Sequence, residues 1–275
     1  MKKILITGSS GYIGQSLSVI LKEEGHIIHG LDRFKQPRYC DKFFMEDIDS
    51  MNCLKEDYDV VVHLAALVNV GDSVKWPMRY YQTNVGGTLN VLERIQYEHF
   101  VFASTGAAEK PASPYALSKR QVEPLVRSYC DFNNKRSTVF RFYNVVGNGV
   151  IPPTNQDGLM YNLMKAKGTG EFNVFGADYN TVDGTAIRDY IHVYDVCGAI
   201  RTCIKRPYAD SLIENLGTGV GTTVYQMVAA FEEANDCAIQ VNVLPRREGD
   251  LESSVLKDVS PYFRNSYSLK DMLKV

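Results

Sequence analysis

Short apolar runs alternate with stretches in which apolar residues recur at helical spacing. Residues 3–7, KILIT, form a β-rich run that ends in glycines. Ile13, Leu17, Ile20 and Leu21 predict a helix over 12–24, which Gly25 stops. HIIHGLD at 26–32 predicts a second strand. YDVVVHLAA at 58–66 is nearly continuous in Val and Leu, as a parallel strand covered on both faces should be. A helix follows over 78–95, a strand over 99–105, a helix over 113–132 and a strand over 137–147. Such alternation predicts an α/β fold, a Rossmann-type doubly wound parallel sheet with helices on both faces.

After Gly147 the rhythm breaks. Residues 148–186 are rich in Gly, Asn, Pro and Asp, with one helix predicted at 158–167. Residues 187–204 read as helical, LIENLGTG at 212–219 as a strand, and 222–235 as the last clear helix. The tail shows no strong capping element. No repeat, low-complexity linker or clean boundary separates the two halves, so the lobes are expected to share strands and cross over more than once.

Composition narrows the class. With 275 residues and 45% apolar content the chain can bury a large core. A net charge of −2 gives no pull toward nucleic acid or an anionic membrane. The longest apolar run, 59–70, is interrupted by His63 and Asn69 and is too short to span a bilayer. The N-terminal MKKILITGSS lacks the apolar length of a signal peptide. Cys40, Cys53, Cys130, Cys197, Cys203 and Cys237 are scattered, with no CxxC and no neighbouring His pattern. They read as reduced, mostly core thiols of a cytoplasmic protein, and no metal is expected.

Two motifs carry chemistry. TGSSGYIG at 7–14 follows the first strand and opens the first helix. Gly8, Gly11 and Gly14 let the backbone turn tightly and approach a pyrophosphate, which the free N–H groups of the helix start would hold. Asp32, at the end of the second strand, suits a ribose diol and repels a 2′-phosphate, favouring NAD over NADP. Arg33 beside it pulls the other way. Further on, SPYALSK at 113–119 sets Tyr115 and Lys119 four positions apart, on one face of a helix. An ammonium there is expected to lower the phenol's pKa and make it a base at neutral pH; the plain alternative is a solvated Tyr–Lys pair.

HLAA (63–66), TNVGGT (83–88), the glycine trio and the Tyr115/Lys119 pair resemble the extended short-chain dehydrogenase/reductase family. RFYNVVG (141–147), DYNTVDGTAIRDYIHV (178–193), NLGTGVG (215–221) and PRREGD (245–250) narrow the likeness to its UDP-galactose (UDP-glucose) 4-epimerase group. The resemblance implies an NAD-dependent enzyme in which Tyr115 takes the proton of a sugar 4-hydroxyl. Lys119 would hold the nicotinamide ribose, and Thr105 would bond the reacting oxygen. It places Gly8, Gly11, Tyr12, Ile13, Gly14, Asp32, Asp47, Ile48 and Asn84 at the cofactor, Asp47 at its adenine amino group. It places Asn144, Arg188, Arg247 and Asp250 at UDP, and Ser254 beside the sugar 2-substituent, where a small residue leaves room for an N-acetyl group. For the two arginines a structural ion pair with Asp189 or Glu248 is the alternative; for Asn84 and Asn144 it is a turn or strand-end role. The implied division is an NAD-binding Rossmann domain over 1–147, with 187–216 returning to it, and a substrate-binding lobe from 148–186 and 217–275. The implied assembly is a homodimer, pairing the 78–95 and 113–132 helices.

The sequence also departs from that group. Only nine residues, GAAEKPASP, separate Thr105 from Tyr115, so the sugar side of the pocket should be more open. Val68 stands where many members carry a basic residue. Pro124 should kink the helix one turn after Lys119. Two other readings remain: a related sugar-nucleotide enzyme (4,6-dehydratase or reductase), or a degraded binding protein. A dehydratase needs an acid after the strand-end Thr, and Gly106 and Ala107 supply none.

Overall fold

The computed structural model describes residues 1–34, 39–52, 54–206, 212–247, 249–260 and 263–275; Cys53 and Glu248 lie outside them. The strands are β1 Lys3–Thr7, β2 Ile27–Asp32, β3 Lys42–Met45, β4 Asp57–His63, β5 Gln96–Thr105, β6 Arg136–Phe142, β7 Asn144–Val146, β8 Glu171–Phe175, β9 Ile187–His192, β10 Leu212–Leu216, β11 Gly221–Thr223, β12 Gln240–Leu244 and β13 Ser253–Ser254. The helices are α1 Tyr12–Glu23, α2 Val70–Lys75, α3 Pro77–Tyr80, α4 Thr88–Arg94, α5 Pro114–Phe132, α6 Leu159–Thr169, α7 Val193–Lys205, α8 Val224–Asn235 and α9 Leu269–Leu273.

Seven strands form one parallel sheet in the order β10-β6-β5-β4-β1-β2-β3. Apolar side chains cover both faces. Leu17, Leu21, Val196 and Ile200 from α1 and α7 pack on one, and Val91, Leu92, Val122 and Val126 from α4 and α5 on the other. The chain order reverses between β1 and β4, and the loops part there at the strands' carboxyl ends. A small sheet joins β7 and β9 in parallel, with β11 antiparallel and β13 parallel to β9. β8 pairs with β12, and a third apolar cluster lies among α6, α8 and the C-terminal residues.

Several expectations need correction. The run 187–204 is not one helix: Ile187–His192 is strand β9, and the helix starts at Val193. β9 is buried along most of its length, so its sequence shows no polar face to reveal period two. The 137–147 strand is two strands in different sheets, with Tyr143 at the crossing, where its N–H donates to Leu216 O at 2.9 Å. The single helix at 78–95 is α3, a π turn over Tyr81–Gly87 and α4, ending at Arg94; β5 begins at Gln96, three residues early. The π turn forms where Gly87 passes so close to Ile48 that a Cβ would stand 2.8 Å from it. The tail does carry a capping element: Ser268 and Asp271 make reciprocal bonds that start α9. Pro124 lies inside α5 without ending it.

Candidate active site

The parted loops enclose a cleft of about 730 Å³. Its floor starts at the turn between β1 and α1. Gly8 adopts φ +71°, and a Cβ on it would stand 2.8 Å from Ala65 N. A Cβ on Gly14 would stand 2.3 Å from Gly8 O. Both glycines are therefore sterically required, and α1 opens onto the cleft with no side-chain cap at Gly11. Gly8, Gly11, Tyr12, Ile13 and Gly14 all line it. Tyr12 donates its hydroxyl to Gly147 O at 2.6 Å, tying the turn to the end of β7.

Asp32, at the tip of β2, accepts from Ser10 N–H at 3.0 Å and from Phe34 N–H at 3.1 Å. The carboxylate is thereby fixed beside the glycine turn. Arg33 lies over the Phe34 ring and 3.7 Å from Asp47. Asp47 and Ile48 line the same part of the cleft wall as these groups. Asn84 does not line it. The amide is buried in the π turn, accepting from Leu67 N–H at 2.8 Å and donating to Leu67 O and Ser118 Oγ, each at 3.0 Å. It holds the loop after β4 in place.

Thr105, Tyr115 and Lys119 meet in the cleft. Ser113, two residues before Tyr115, caps α5 by accepting from Ala116 N–H at 3.2 Å, and the helix starts at Pro114. Thr105 faces the Tyr115 hydroxyl and accepts from Ala107 N–H at 3.3 Å. Lys119 Nζ donates to Ala103 O at 2.8 Å and sits 4.8 Å from the Phe102 ring centre. Burial holds the Lys119 ammonium down at a pKa of about 7, against the pull of Glu123. The Tyr115 phenol is raised, not lowered: burial dominates, and the Thr105 hydroxyl offsets only part of it. The lowering expected from Lys119 is thus not found: burial sets the direction of the shift, and the Lys119 ammonium is turned to the Ala103 carbonyl.

The short 106–114 segment folds down as a 3₁₀ turn over Gly106–Glu109. Glu109 accepts from Tyr143 Oη at 3.2 Å and from Asn215 Nδ2 at 2.8 Å. Tyr143 itself lines the cleft. Nothing in the residue pattern singles it out, since neighbours on one strand face opposite ways. The break between β6 and β7 lets Tyr143 and Asn144 face the cleft together.

On the far wall, Asn144 donates to Asp189 O at 3.1 Å. Arg188 donates to Ile187 O at 2.9 Å and pairs with Asp250 at 3.4 Å. Its ion-pair partner is therefore Asp250 and not the adjacent Asp189. Asp189 is fully buried and accepts from Thr218, Gly219 and Leu256 N–H groups at 2.7, 2.8 and 3.3 Å. Ser254 is half-buried and lines the cleft, in register with Arg188. Val68 lines it too. Arg247 is outside: exposed, 3.8 Å from the Phe175 ring centre and 3.4 Å from Asp157 O.

A strand–glycine turn–helix with a fixed strand-end carboxylate, facing a Thr–Tyr–Lys group across one cleft, defines a nucleotide-dependent enzyme acting on alcohols or ketones. The chain belongs to the NAD dependent epimerase/dehydratase family, which matches residues 4–217. It is similar to the UDP-glucose 4-epimerase of Rhizobium leguminosarum bv. trifolii, 32% identical over 92% of this chain and 88% of that protein. The UDP-glucose 4-epimerase of Erwinia amylovora is also 32% identical, over 98% and 95%. The fold matches a crystal structure of UDP-glucose-4-epimerase from Stenotrophomonas maltophila with bound NAD and formylated UDP-arabinopyranose. There the TM-score is 0.88 at 29% identity, covering 99% of this chain and 96% of that one.

Proposed function

We propose that this protein is an NAD-dependent UDP-hexose 4-epimerase. The observation that carries the reading is the meeting of Thr105, Tyr115 and Lys119 in the cleft that the Gly8–Gly14 turn and Asp32 also line. Asp32, Asp47, Ile48 and the glycine turn hold NAD, and Asn84 holds the backbone beside it. Asn144, Arg188 and Asp250 take the UDP, with Arg247 at the rim. Tyr115 Oη accepts the proton of the sugar 4-hydroxyl, and the Thr105 hydroxyl orients that oxygen. Bound NAD supplies a reversible acceptor for the C4 hydride. The hydride would go back to C4 from the same acceptor after the 4-keto sugar has turned about its diphosphate link and offered its other face, and Tyr115 would return the proton to O4, leaving C4 inverted. Lys119 holds the nicotinamide ribose; for Tyr115 to act as the base, its ammonium has to turn from the Ala103 carbonyl toward the buried phenol. Arg33, already beside Asp47 and Phe34, is poorly free to serve a 2′-phosphate, which favours NAD over NADP.

A 4,6-dehydratase is less well supported. Gly106 and Ala107 bear no acid, and Glu109 is committed to Tyr143 and Asn215. The domain reading assigns 1–147 and 187–216 to NAD, and 148–186 with 217–275 to the nucleotide sugar. The packing of α7 in the same cluster as α1, and β10 beside β6, support that return, although β9 pairs within the small sheet. We also read the protein as a cytoplasmic homodimer. Leu89 on α4 and Leu117, Leu125 and Phe132 on α5 are exposed, Phe132 by 88%, as a two-fold pairing of these helices would use. Cys130, Cys197 and Cys203 are buried free thiols, which suits a reducing compartment. Among the described residues, no helix is long and apolar enough to cross a membrane.

The test incubates purified protein with UDP-galactose and no added cofactor. UDP-glucose should form, and denaturation should release NAD. Tyr115→Phe should still release NAD while turnover falls by about 10²-fold or more. Wild-type turnover in that variant would sink the mechanism.

A further inference from the structure

Three successive residues at the end of β5 grip three successive turns of α5. Thr105 faces the Tyr115 hydroxyl. Ala103 O accepts from Lys119 at 2.8 Å. Ser104 Oγ donates to Glu123 Oε1 at 2.6 Å. Glu123 is 1% exposed and stands four residues beyond Lys119, outside the cleft lining. Arg141 of β6 clamps both its oxygens, Nε to Oε1 at 2.8 Å and Nη2 to Oε2 at 2.6 Å. Arg120 approaches from solvent at 3.7 Å. Burying such a pair costs desolvation that apolar side chains of similar size would avoid. Fastening α5 to the sheet does not by itself call for a charge here.

We propose that Glu123 is a positioning residue for the reaction. With Ser104 and Arg141 it fixes the register of α5 on β5 in which Thr105, Tyr115 and Lys119 meet, and its charge keeps the Lys119 ammonium in place. The inference rests on the reading that Tyr115 and Lys119 carry the chemistry. Among the described residues, Glu123 on α5 and His63 on β4 interact with Lys119, Tyr115 stands one turn before it and Arg120 beside it on α5, and Arg141 of β6 lies behind Glu123. Burial keeps His63 neutral, with its pKa near 3. Glu123 is thus the carboxylate that favours the charged form of Lys119.

Glu123→Gln keeps size and hydrogen-bonding shape but removes the charge and leaves Arg141 uncompensated. Lys119 should then lose its proton at lower pH. In UDP-galactose epimerisation, kcat should fall about tenfold or more while KM changes little, since Glu123 touches no substrate. The alkaline limb of the kcat–pH profile should move down by about one pH unit. The double variant Glu123→Gln/Arg141→Gln removes the orphaned cation. It should recover melting temperature toward wild type, yet keep the lowered kcat and displaced limb. It also decides the matter if the single variant fails to fold. A wild-type kcat and pH profile in Glu123→Gln would overturn the proposal. So would a double variant that regains both, because Glu123 would then serve only to neutralise Arg141. Tyr115→Phe, assayed alongside, separates the two ideas: full activity there defeats the catalytic reading itself.

Discussion

Ser254 is where one side chain should set substrate range. It is small, half-buried and part of the cleft wall. UDP-N-acetylglucosamine and UDP-N-acetylgalactosamine should therefore be accepted beside the plain sugars. Ser254→Tyr should cut kcat/KM selectively on the N-acetylated pair, because overpacking a filled pocket typically costs ~1–3 kcal/mol. An unchanged ratio between the two substrate classes would remove Ser254 from the pocket wall. A second expectation concerns His63, His99 and His192, all buried. His63 bridges Thr7 and Thr88, at 2.7 and 3.0 Å. Burial lowers the folded pKa to about 3 for His63 and His99 and about 4 for His192. A lowered His favours the neutral form, so its stabilisation is complete above the unfolded value near ~6.5 and is lost as pH falls toward the folded values, at up to about 1.4 kcal/mol per unit per histidine. The urea midpoint should drop between pH 6.5 and 4; a flat midpoint there would refute the linkage. Tyr115 with Lys119, and the glycine turn, could be found from the sequence because each is a spacing within one short segment; Thr105, on β5, was reached only through the resemblance. The fate of each polar group could not. Asn84 spends its amide on Leu67 and Ser118, and Arg188 pairs with Asp250, 62 residues away.

At the scale of elements, β1, α1, β2, β4, β5 and α5 follow from hydrophobic period and turn residues, and these build the cofactor half of the cleft. β9 was hidden because its burial erases alternation, and β7 because the chain changes sheets without a turn signal. β3 and β13 are four and two residues long, too short for any period to register. The π turn at Tyr81–Gly87 answers to Ile48 and Asp49 packed against it, with Thr83 Oγ1 donating to Asp49 at 2.9 Å, and not to local propensity. One element is open to a clean test. Ser113 caps the helix that carries Tyr115 and Lys119, so Ser113→Ala should lower stability by about 1 kcal/mol. Melting and chemical denaturation would measure it. A change within error would mean that packing alone sets the start of α5.

For the whole molecule, the exposed apolar side chains on α4 and α5 predict a dimer. Light scattering at micromolar concentration should give twice the chain mass, and Leu117→Glu with Phe132→Glu should halve it; a monomer in the parent protein would refute the assembly. The crossing at Tyr143 has a different consequence, for synthesis. When residue 147 leaves the ribosome, the large sheet has six of its seven strands, and α1 lacks the α7 residues Val196, Cys197 and Ile200 that share its cluster. The open side of β6 waits for β10, whose last residue is Leu216. The nascent chain therefore carries an unpaired strand edge and a bare apolar face through the making of some seventy further residues, a state in which edge-to-edge association is favoured. A chain stopped at residue 147 should be insoluble or bound to chaperones, whereas one stopped at 147 and supplied with the remainder on a second polypeptide should gain solubility. A soluble, cooperatively melting 1–147 fragment would show that the first six strands close a core without the returning segment.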